Sequence, residues 1–290
     1  MQTLYFKAIV FTIAPASQYN LYVEAYKAIG YNEIKLEFFL KRKMYKLKSI
    51  SIKTQLYLFL FCFLAIISFN ERSFNSISKG LIALLVSALL DLALFYIREK
   101  RPKITESSLI TGLIIGFVLS SDMSWWAFAL ASLLAIMSKH IIRYKNKHVF
   151  NPAAFGIFFT ILITNGYTEW KGAYDWAIII PFGLYFAFKM KKLLLVIIYF
   201  ILSLILYSFE ASFDKASFIN SILYANYFFM FIMLTEPKTS PFKNRQKMII
   251  SAIIAIASFL LYLLKFPYDP VLPSLLIGNL LFCIMSQVKK

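Results

Sequence analysis

The strongest constraint on the fold of this chain is a series of ten apolar segments separated by short polar loops. A helix needs roughly 20 mainly apolar residues to cross the hydrocarbon layer, and inside lipid it satisfies its own backbone hydrogen bonds. Apolar residues make up 60% of the chain and charged residues only 16%. We therefore predict an all-α integral membrane protein with about ten transmembrane helices. The segments are residues 54–69, 80–97, 107–120, 125–142, 150–163, 174–188, 193–209, 217–235, 248–264 and 271–287.

The loops between these segments alternate in charge. Clusters of Lys and Arg lie at residues 41–48, 98–103, 139–147, 189–192, 238–247 and 289–290, and the intervening loops carry few positive charges. With ten spans, every basic cluster falls on one side of the membrane. The positive-inside rule then predicts a plasma (inner) membrane protein with both termini in the cytoplasm.

The net charge of +17 could also indicate a nucleic-acid partner. The positive residues are divided among short loops rather than lined along one face, so we predict a lipid bilayer and no nucleic acid as the partner. Residues 1–53 form a basic N-terminal segment, cytoplasmic or interfacial. Within it, residues 34–47 fit an amphipathic element on the membrane surface or a disordered tail, and both interpretations stay open.

Residues 54–288 are predicted to form one polytopic membrane domain containing an internal repeat. The third and eighth segments both end at small polar residues and an acid, and the fifth and tenth both begin near a proline. Five spans separate the members of each pair, so the partners have opposite orientations. This predicts two inverted five-helix repeats, at about 54–164 and 174–288, with short or broken helices around a central polar site.

Four motifs lie in order along the chain. They are Arg101-Pro102-Lys103 with Ser108 to Leu113, Lys139-His140 with Phe150-Asn151-Pro152-Ala153-Ala154-Phe155-Gly156, Phe228 to Ser240 with Asn244-Arg245, and Tyr268-Asp269-Pro270 with Leu276 to Asn279. Together they resemble the motifs of a known family of membrane proteins, the RnfD/NqrB family. The resemblance covers residues 80–286. It implies a component of an Rnf-like or Nqr-like complex that works with other membrane subunits to couple electron transfer to transport of sodium ions or protons.

The resemblance also implies a flavin. We expect FMN or riboflavin, bound noncovalently, and the motifs supply five candidate cofactor-binding residues: Thr111, Asn151, Pro152, Thr235 and Glu236. The covalent FMN site of the family is not carried over. The loop at 164–172 is short and lacks the family's Ala-Thr motif, so Thr168 is interpreted as an ordinary loop residue.

Two carboxylates are candidates for an ion pathway. Asp91 lies within the second segment, where a buried acid is costly and usually faces a bundle interior; the alternative is an ion pair with Arg98. Glu106 precedes the third segment, where a carboxylate suits a helix N-terminus. Lys139 and His140 lie at an inner interface, where the His is interpreted as a solvated interfacial residue rather than a proton relay. We expect Asp91, Glu106, Asn151 and Glu236 to converge near the pseudo-two-fold axis of the repeats.

The sequence contains no nucleotide-binding glycine loop and no Ser-His-Asp arrangement, so we do not expect the chain alone to bind NADH. At most it is a subunit of an ion-translocating oxidoreductase. A second function stays open, because an inverted repeat with broken helices also suits a small-solute or ion channel or transporter that lacks a redox cofactor.

Overall fold

Ten α-helices dominate the part of the chain that the computed structural model describes, which is residues 50–70, 74–145, 147–173, 175–210, 215–223 and 225–287. The basic segment predicted at 1–53 lies almost wholly outside these residues. The helices are α1 (Ile52–Asn70), α2 (Phe74–Glu99), α3 (Glu106–Val118), α4 (Trp125–Ile141), α5 (Pro152–Thr164), α6 (Trp176–Lys189), α7 (Leu193–Glu210), α8 (Lys215–Leu223), α9 (Asn244–Leu263) and α10 (Val271–Gln287).

These helices follow the ten apolar segments in order, and the all-α membrane fold is confirmed. In the described ranges, four helices (α1, α2, α7 and α9) are long and apolar enough to cross a bilayer by length and composition. Five others (α3, α4, α5, α6 and α10) are apolar but shorter. Large apolar side chains such as Leu89 and Phe188 are 62% and 69% exposed on the bundle surface, as expected where lipid replaces water.

The eighth segment is broken rather than continuous. Helix α8 ends at Leu223, and a second helical piece follows that includes a π-helical turn at Phe229–Met233. Asn226 starts this piece, because its side-chain oxygen accepts a hydrogen bond from the backbone N–H of Phe229 at 2.9 Å. Such interruptions are tolerated in a membrane where protein surrounds the freed backbone groups, and all five residues of the turn are buried.

The two halves of the chain repeat the same helix contacts. In the first half α2 packs on α4 and α4 packs on α5; in the second half α7 packs on α9 and α9 packs on α10. The matching helices α5 and α10 also contact each other. This correspondence is what a five-helix repeat requires. The inverted orientation of the second repeat stays a prediction.

Glycines let helices of the first half approach closely. A Cβ on Gly116 would lie 2.7 Å from the Cα of Gly80, and one on Gly112 would lie 2.6 Å from the Cα of Leu84. Gly112 and Gly116 therefore form the contact face of α3 against α2, as in Gly-x-x-x-Gly packing of membrane helices. A Cβ on Gly156 of α5 would lie 2.2 Å from the Ala131 carbonyl of α4.

A two-stranded hairpin links α4 to α5. Strands β1 (Arg143–Tyr144) and β2 (Lys147–His148) pair antiparallel. The hairpin positions His148 and, just beyond it, Asn151, which begins α5.

Candidate functional site

The loops and helix termini fall into two groups, each held together by side-chain contacts. We call the first the basic end; it contains the start of α1, the end of α2, the hairpin and the chain around residue 238. The second, the opposite end, contains the loops after α3, α5 and α9. Two adjoining cavities lie at the basic end.

A small pocket at the basic end brings together four of the five predicted cofactor-binding residues. Thr111, Asn151, Pro152 and Glu236 all line it. Its volume is about 40 Å³, which is room for roughly three water molecules. Thr235 is fully buried and is not among the lining residues; its hydroxyl donates to the Phe231 carbonyl at 2.6 Å.

Asn151 connects the two halves of the chain. Its side-chain oxygen accepts from the Ala154 N–H at 3.1 Å, and Pro152 takes the first helical position, so Asn151 caps the N-terminus of α5. Its side-chain amide donates to the Met233 carbonyl at 3.2 Å. Its own N–H donates at 2.8 Å to the side chain of Asn279 in α10. With these contacts Asn151 fixes the beginning of α5 against the π-helical turn.

Glu236 pairs with His148, which the sequence did not indicate. His148 Nε2 lies 2.9 Å from Glu236 Oε1, and the Thr239 hydroxyl donates to Oε2 at 3.0 Å. Burial alone would raise the pKa of Glu236, but the His148 contact outweighs it and the net shift is downward. Glu236 is therefore a charged group at the wall of the small pocket.

A larger cleft of about 490 Å³ adjoins the small pocket. Lys53, Ser107 and Lys238 line both cavities. Asp91 and Glu106 line the larger one, so the two carboxylates predicted for an ion pathway lie beside the predicted cofactor residues. The four polar residues lie around two adjoining cavities at the basic end, and their convergence near the pseudo-two-fold axis stays a prediction. Their functional roles stay predictions.

Asp91 is fully buried in a network that differs from the sequence interpretation. Its carboxylate accepts from Lys139 Nζ and contacts His140 Nε2, both at 2.9 Å, and accepts from the backbone and hydroxyl of Thr105 at 3.1 and 2.7 Å. The proposed pair with Arg98 is wrong: Arg98 bonds Glu99 instead. Four donors fill the roughly four lone-pair positions of the carboxylate.

The interpretation of His140 as a solvated residue is also wrong. Its side chain is only 10% exposed, and that of Lys139 is 8% exposed. Both lie in the last turn of α4. Because α4 packs directly on α2, their side chains reach Asp91. An unpaired carboxylate at this position would be costly, and the two cations compensate it.

Glu106 occupies the first turn of α3, as predicted for a helix N-terminal carboxylate. It accepts a hydrogen bond from the Thr54 hydroxyl of α1. This contact ties the first helix to the third at the mouth of the larger cleft.

Buried lysines donate to backbone carbonyls at both ends. At the basic end, Lys192 donates to the carbonyls of Ser240 and Pro241, in the loop before α9, at 2.8 and 2.7 Å. At the opposite end, Lys171 donates to the carbonyls of Gly116 and Leu119 at 3.1 and 3.0 Å. The Lys171 amine therefore occupies the end of α3, where a free helix C-terminus could hold a cation.

The loop after α5 folds back against the end of α3. Leu119 and Thr168 form a β-bridge, and the N–H groups of Glu169 and Lys171 donate to the carbonyls of Val118 and Phe117 at 2.8 and 2.9 Å. The Thr168 hydroxyl donates to Asp269 at 2.8 Å. Thr168 therefore serves as a structural link between two loops in this arrangement.

Sequence reasoning missed four residues of these networks: His148, Asn279, Lys171 and Lys192. Two signals were present. His148 lies two residues before the Phe150-Asn151-Pro152 motif, and Asn279 is a polar side chain within an apolar helix, which usually faces a partner. The two lysines gave no signal beyond loop charge, because their burial depends on how the loops fold.

Comparison with known protein families identifies one match. Residues 39–181 match the model of the NQR2, RnfD, RnfE family, which confirms the resemblance predicted from the motifs. The match includes the motifs at 101–113 and 139–156 and ends within α6. No curated protein sequence matches the chain.

Proposed function

Because residues 39–181 belong to the NQR2, RnfD, RnfE family, we propose that this multi-pass membrane protein is the membrane subunit of an Rnf/Nqr-type complex that couples electron transfer to ion transport. The observation that carries the proposal is the family match, together with the gathering of the motif residues around adjoining cavities at one end. Its partners are other membrane subunits of the complex, and it resides in the plasma membrane with the basic end facing the cytoplasm.

We place a noncovalent flavin in the larger cleft. A volume near 490 Å³ lies within the range of about 300–1,000 Å³ typical of small-molecule sites, whereas the 40 Å³ pocket is too small for a flavin ring. Lys53, Ser107 and Lys238, which line both cavities, would hold the ring edge, with Glu236 behind them. A bound flavin supplies one- and two-electron redox chemistry that no side chain here provides.

The polar residues of the small pocket would act on the flavin indirectly. The hydroxyl of Thr111 donates to the Ser107 carbonyl, and the Asn151 side chain is bonded to Ala154 and Met233. These groups shape the wall between the cavities and exclude water from it. Glu236 adds a negative charge, whose proximity would make reduction of the flavin less favourable.

The Asp91 network bears on the transported ion. Since four donors already surround the carboxylate, Asp91 cannot also coordinate a sodium ion without giving up one of them. We propose that Asp91 instead holds the imidazole of His140, which can donate and accept a proton, at the cleft wall. A proton then suits this site better than sodium.

The experiment is to purify the chain from membranes and record its visible absorption spectrum. We expect a flavin spectrum from the native protein and no flavin fluorescence on the band of a denaturing gel. A fluorescent band that disappears in Thr168→Ala would show covalent attachment and contradict the noncovalent proposal.

A matched pair of variants locates the flavin. Glu236→Gln at the basic end should lower flavin retained per folded protein, whereas Glu169→Gln at the opposite end should not. Colourless protein that still conducts ions in vesicles would favour the channel or transporter function instead.

A further inference from the structure

The larger cleft collects positive charge from separate parts of the chain. Six of its lining residues are Lys or Arg and two are carboxylates: Lys53, Arg98, Lys103, Lys139, Arg143, Lys238, Asp91 and Glu106. The cations come from the start of α1, the end of α2, the loop after it, the end of α4, the hairpin and the chain after the π-helical turn. Residues distant in sequence thus converge on one concavity.

The carboxylates do not balance this charge. Asp91 is matched by Lys139 and His140, so that group leaves no negative charge for the rest of the cleft. Arg98 pairs with Glu99, and Glu106 is the one other carboxylate among the lining residues, against Lys53, Lys103, Arg143 and Lys238. Burial lowers the pKa of Lys238, and the nearby charges of Lys53 and Lys139 lower it further. An anion in the cleft would relieve this repulsion.

Membrane topology explains positive loops but not their convergence. Lys147, Lys189, Lys191 and Lys243 also belong to the basic loops, yet they are exposed and line neither cavity. The positive-inside rule would be satisfied if all the lysines were arranged in this scattered way. Six cations around one cleft repel each other, and a bound anion would reduce this repulsion.

We propose that the larger cleft binds a phosphate group. Lys and Arg side chains are the usual partners of phosphate, because charge-assisted hydrogen bonds to its oxygens are strong. The cleft also has apolar lining from Phe95 and Ile104, so it suits a ligand with a phosphate and an apolar or aromatic body. Two ligands meet this description. One is FMN, and this choice rests on the proposed flavin function. The other is an anionic phospholipid, whose binding does not depend on that function.

The test compares two double variants of the full chain. Lys103→Gln/Lys238→Gln removes two exposed cations from the cleft. Lys189→Gln/Lys243→Gln removes two exposed cations elsewhere at the basic end and serves as the control. Binding of FMN and riboflavin is measured by quenching of flavin fluorescence. Retention of phosphatidylglycerol against phosphatidylethanolamine is measured by native mass spectrometry.

We expect the wild type to bind FMN or phosphatidylglycerol at least about tenfold more tightly than its uncharged or zwitterionic counterpart, since a charge-assisted hydrogen bond contributes that much or more. The preference should vanish in the cleft variant and persist in the control. Phosphatidylglycerol preference without any flavin binding would support the phosphate site while contradicting the flavin proposal. Equal binding of FMN and riboflavin, with lipid retention unchanged in the cleft variant, would overturn the phosphate site.

Discussion

At the opposite end the loop after α5 folds back onto α3 and buries Lys171, whereas at the basic end the chain leaves a cleft of about 490 Å³ between helix termini. At each end a buried lysine donates to backbone carbonyls. The carboxylate Glu169 at the opposite end accepts from Ser121 at 2.6 and 2.8 Å. Similar contacts thus occur at both ends, but the loop closes the surface at one end and the chain leaves a cleft at the other.

The largest expected difference between the ends is in access from outside the cell. In a background lacking Cys62 and Cys283, Tyr167→Cys at the opposite end should react fully with a membrane-impermeant thiol reagent in intact cells. Lys243→Cys at the basic end should react only after the cells are opened. Both positions are exposed, so accessibility reports the side of the membrane rather than burial. The reverse labelling pattern would break the assignment of the basic end to the cytoplasm.

A large loss of stability is expected where the basic end buries its ion pairs. Asp91→Asn leaves the Lys139 ammonium without its carboxylate, and breaking a buried pair in this way costs about 3–5 kcal/mol. Thermal unfolding in detergent measures the loss. Glu99→Gln, which disrupts an exposed pair with Arg98, should cost at most about 1 kcal/mol.

The double variant Asp91→Asn/Lys139→Met sharpens this prediction. Because it removes the uncompensated cation, it should recover part of the stability lost in Asp91→Asn. No recovery would mean that the Thr105 and His140 contacts, rather than charge compensation, hold the network together.

A smaller loss is expected at the opposite end. Lys171→Met leaves the carbonyls of Gly116 and Leu119 without their donor, at a cost of about 1–3 kcal/mol. The exposed Lys265, in another loop of the same end, provides the control, and Lys265→Met should be nearly neutral. If the two variants unfold at the same temperature, the lysine does not stabilise the end of α3.

The last expected difference is a pH dependence at the basic end. Burial, followed by repulsion from Lys247 and Lys147, lowers the pKa of Lys192 from 10.5 to about 7. Between these values the unfolded chain binds the proton and the folded chain does not, so stability rises as the pH increases from about 7 to 10.5 and is constant below that window. Lys192→Met should remove this contribution, while Lys191→Met, an exposed neighbour, should keep it. Unfolding temperatures measured across the window would show the difference.

The sequence predicted the helices well because lipid leaves few alternatives to a helix for an apolar segment. Nine of the segments each correspond to one helix in the described ranges, and the eighth is divided between α8 and the piece that contains the π-helical turn. The Asn151-Pro152 start of α5 could also be predicted, since capping is a local property. The Gly-x-x-x-Gly spacing of Gly112 and Gly116 is typical of close packing between membrane helices, but the sequence interpretation did not use it.

The site could be predicted only in part, because its charge pairs join distant segments. Asp91 and Lys139 are 48 residues apart, and Glu236 and His148 are 88 apart. Helix packing and the hairpin decide these pairings, and neither can be derived from the spacing of charges along the chain. The prediction therefore identified most of the residues around the cavities but assigned the wrong partner to Asp91.

The buried Lys171 has a consequence for how the protein is made. The carbonyls that Lys171 contacts lie on the earlier helix α3, so the loop can fold back only after α3 has formed. A chain that ends before residue 171 would therefore leave the Gly116 and Leu119 carbonyls without this donor.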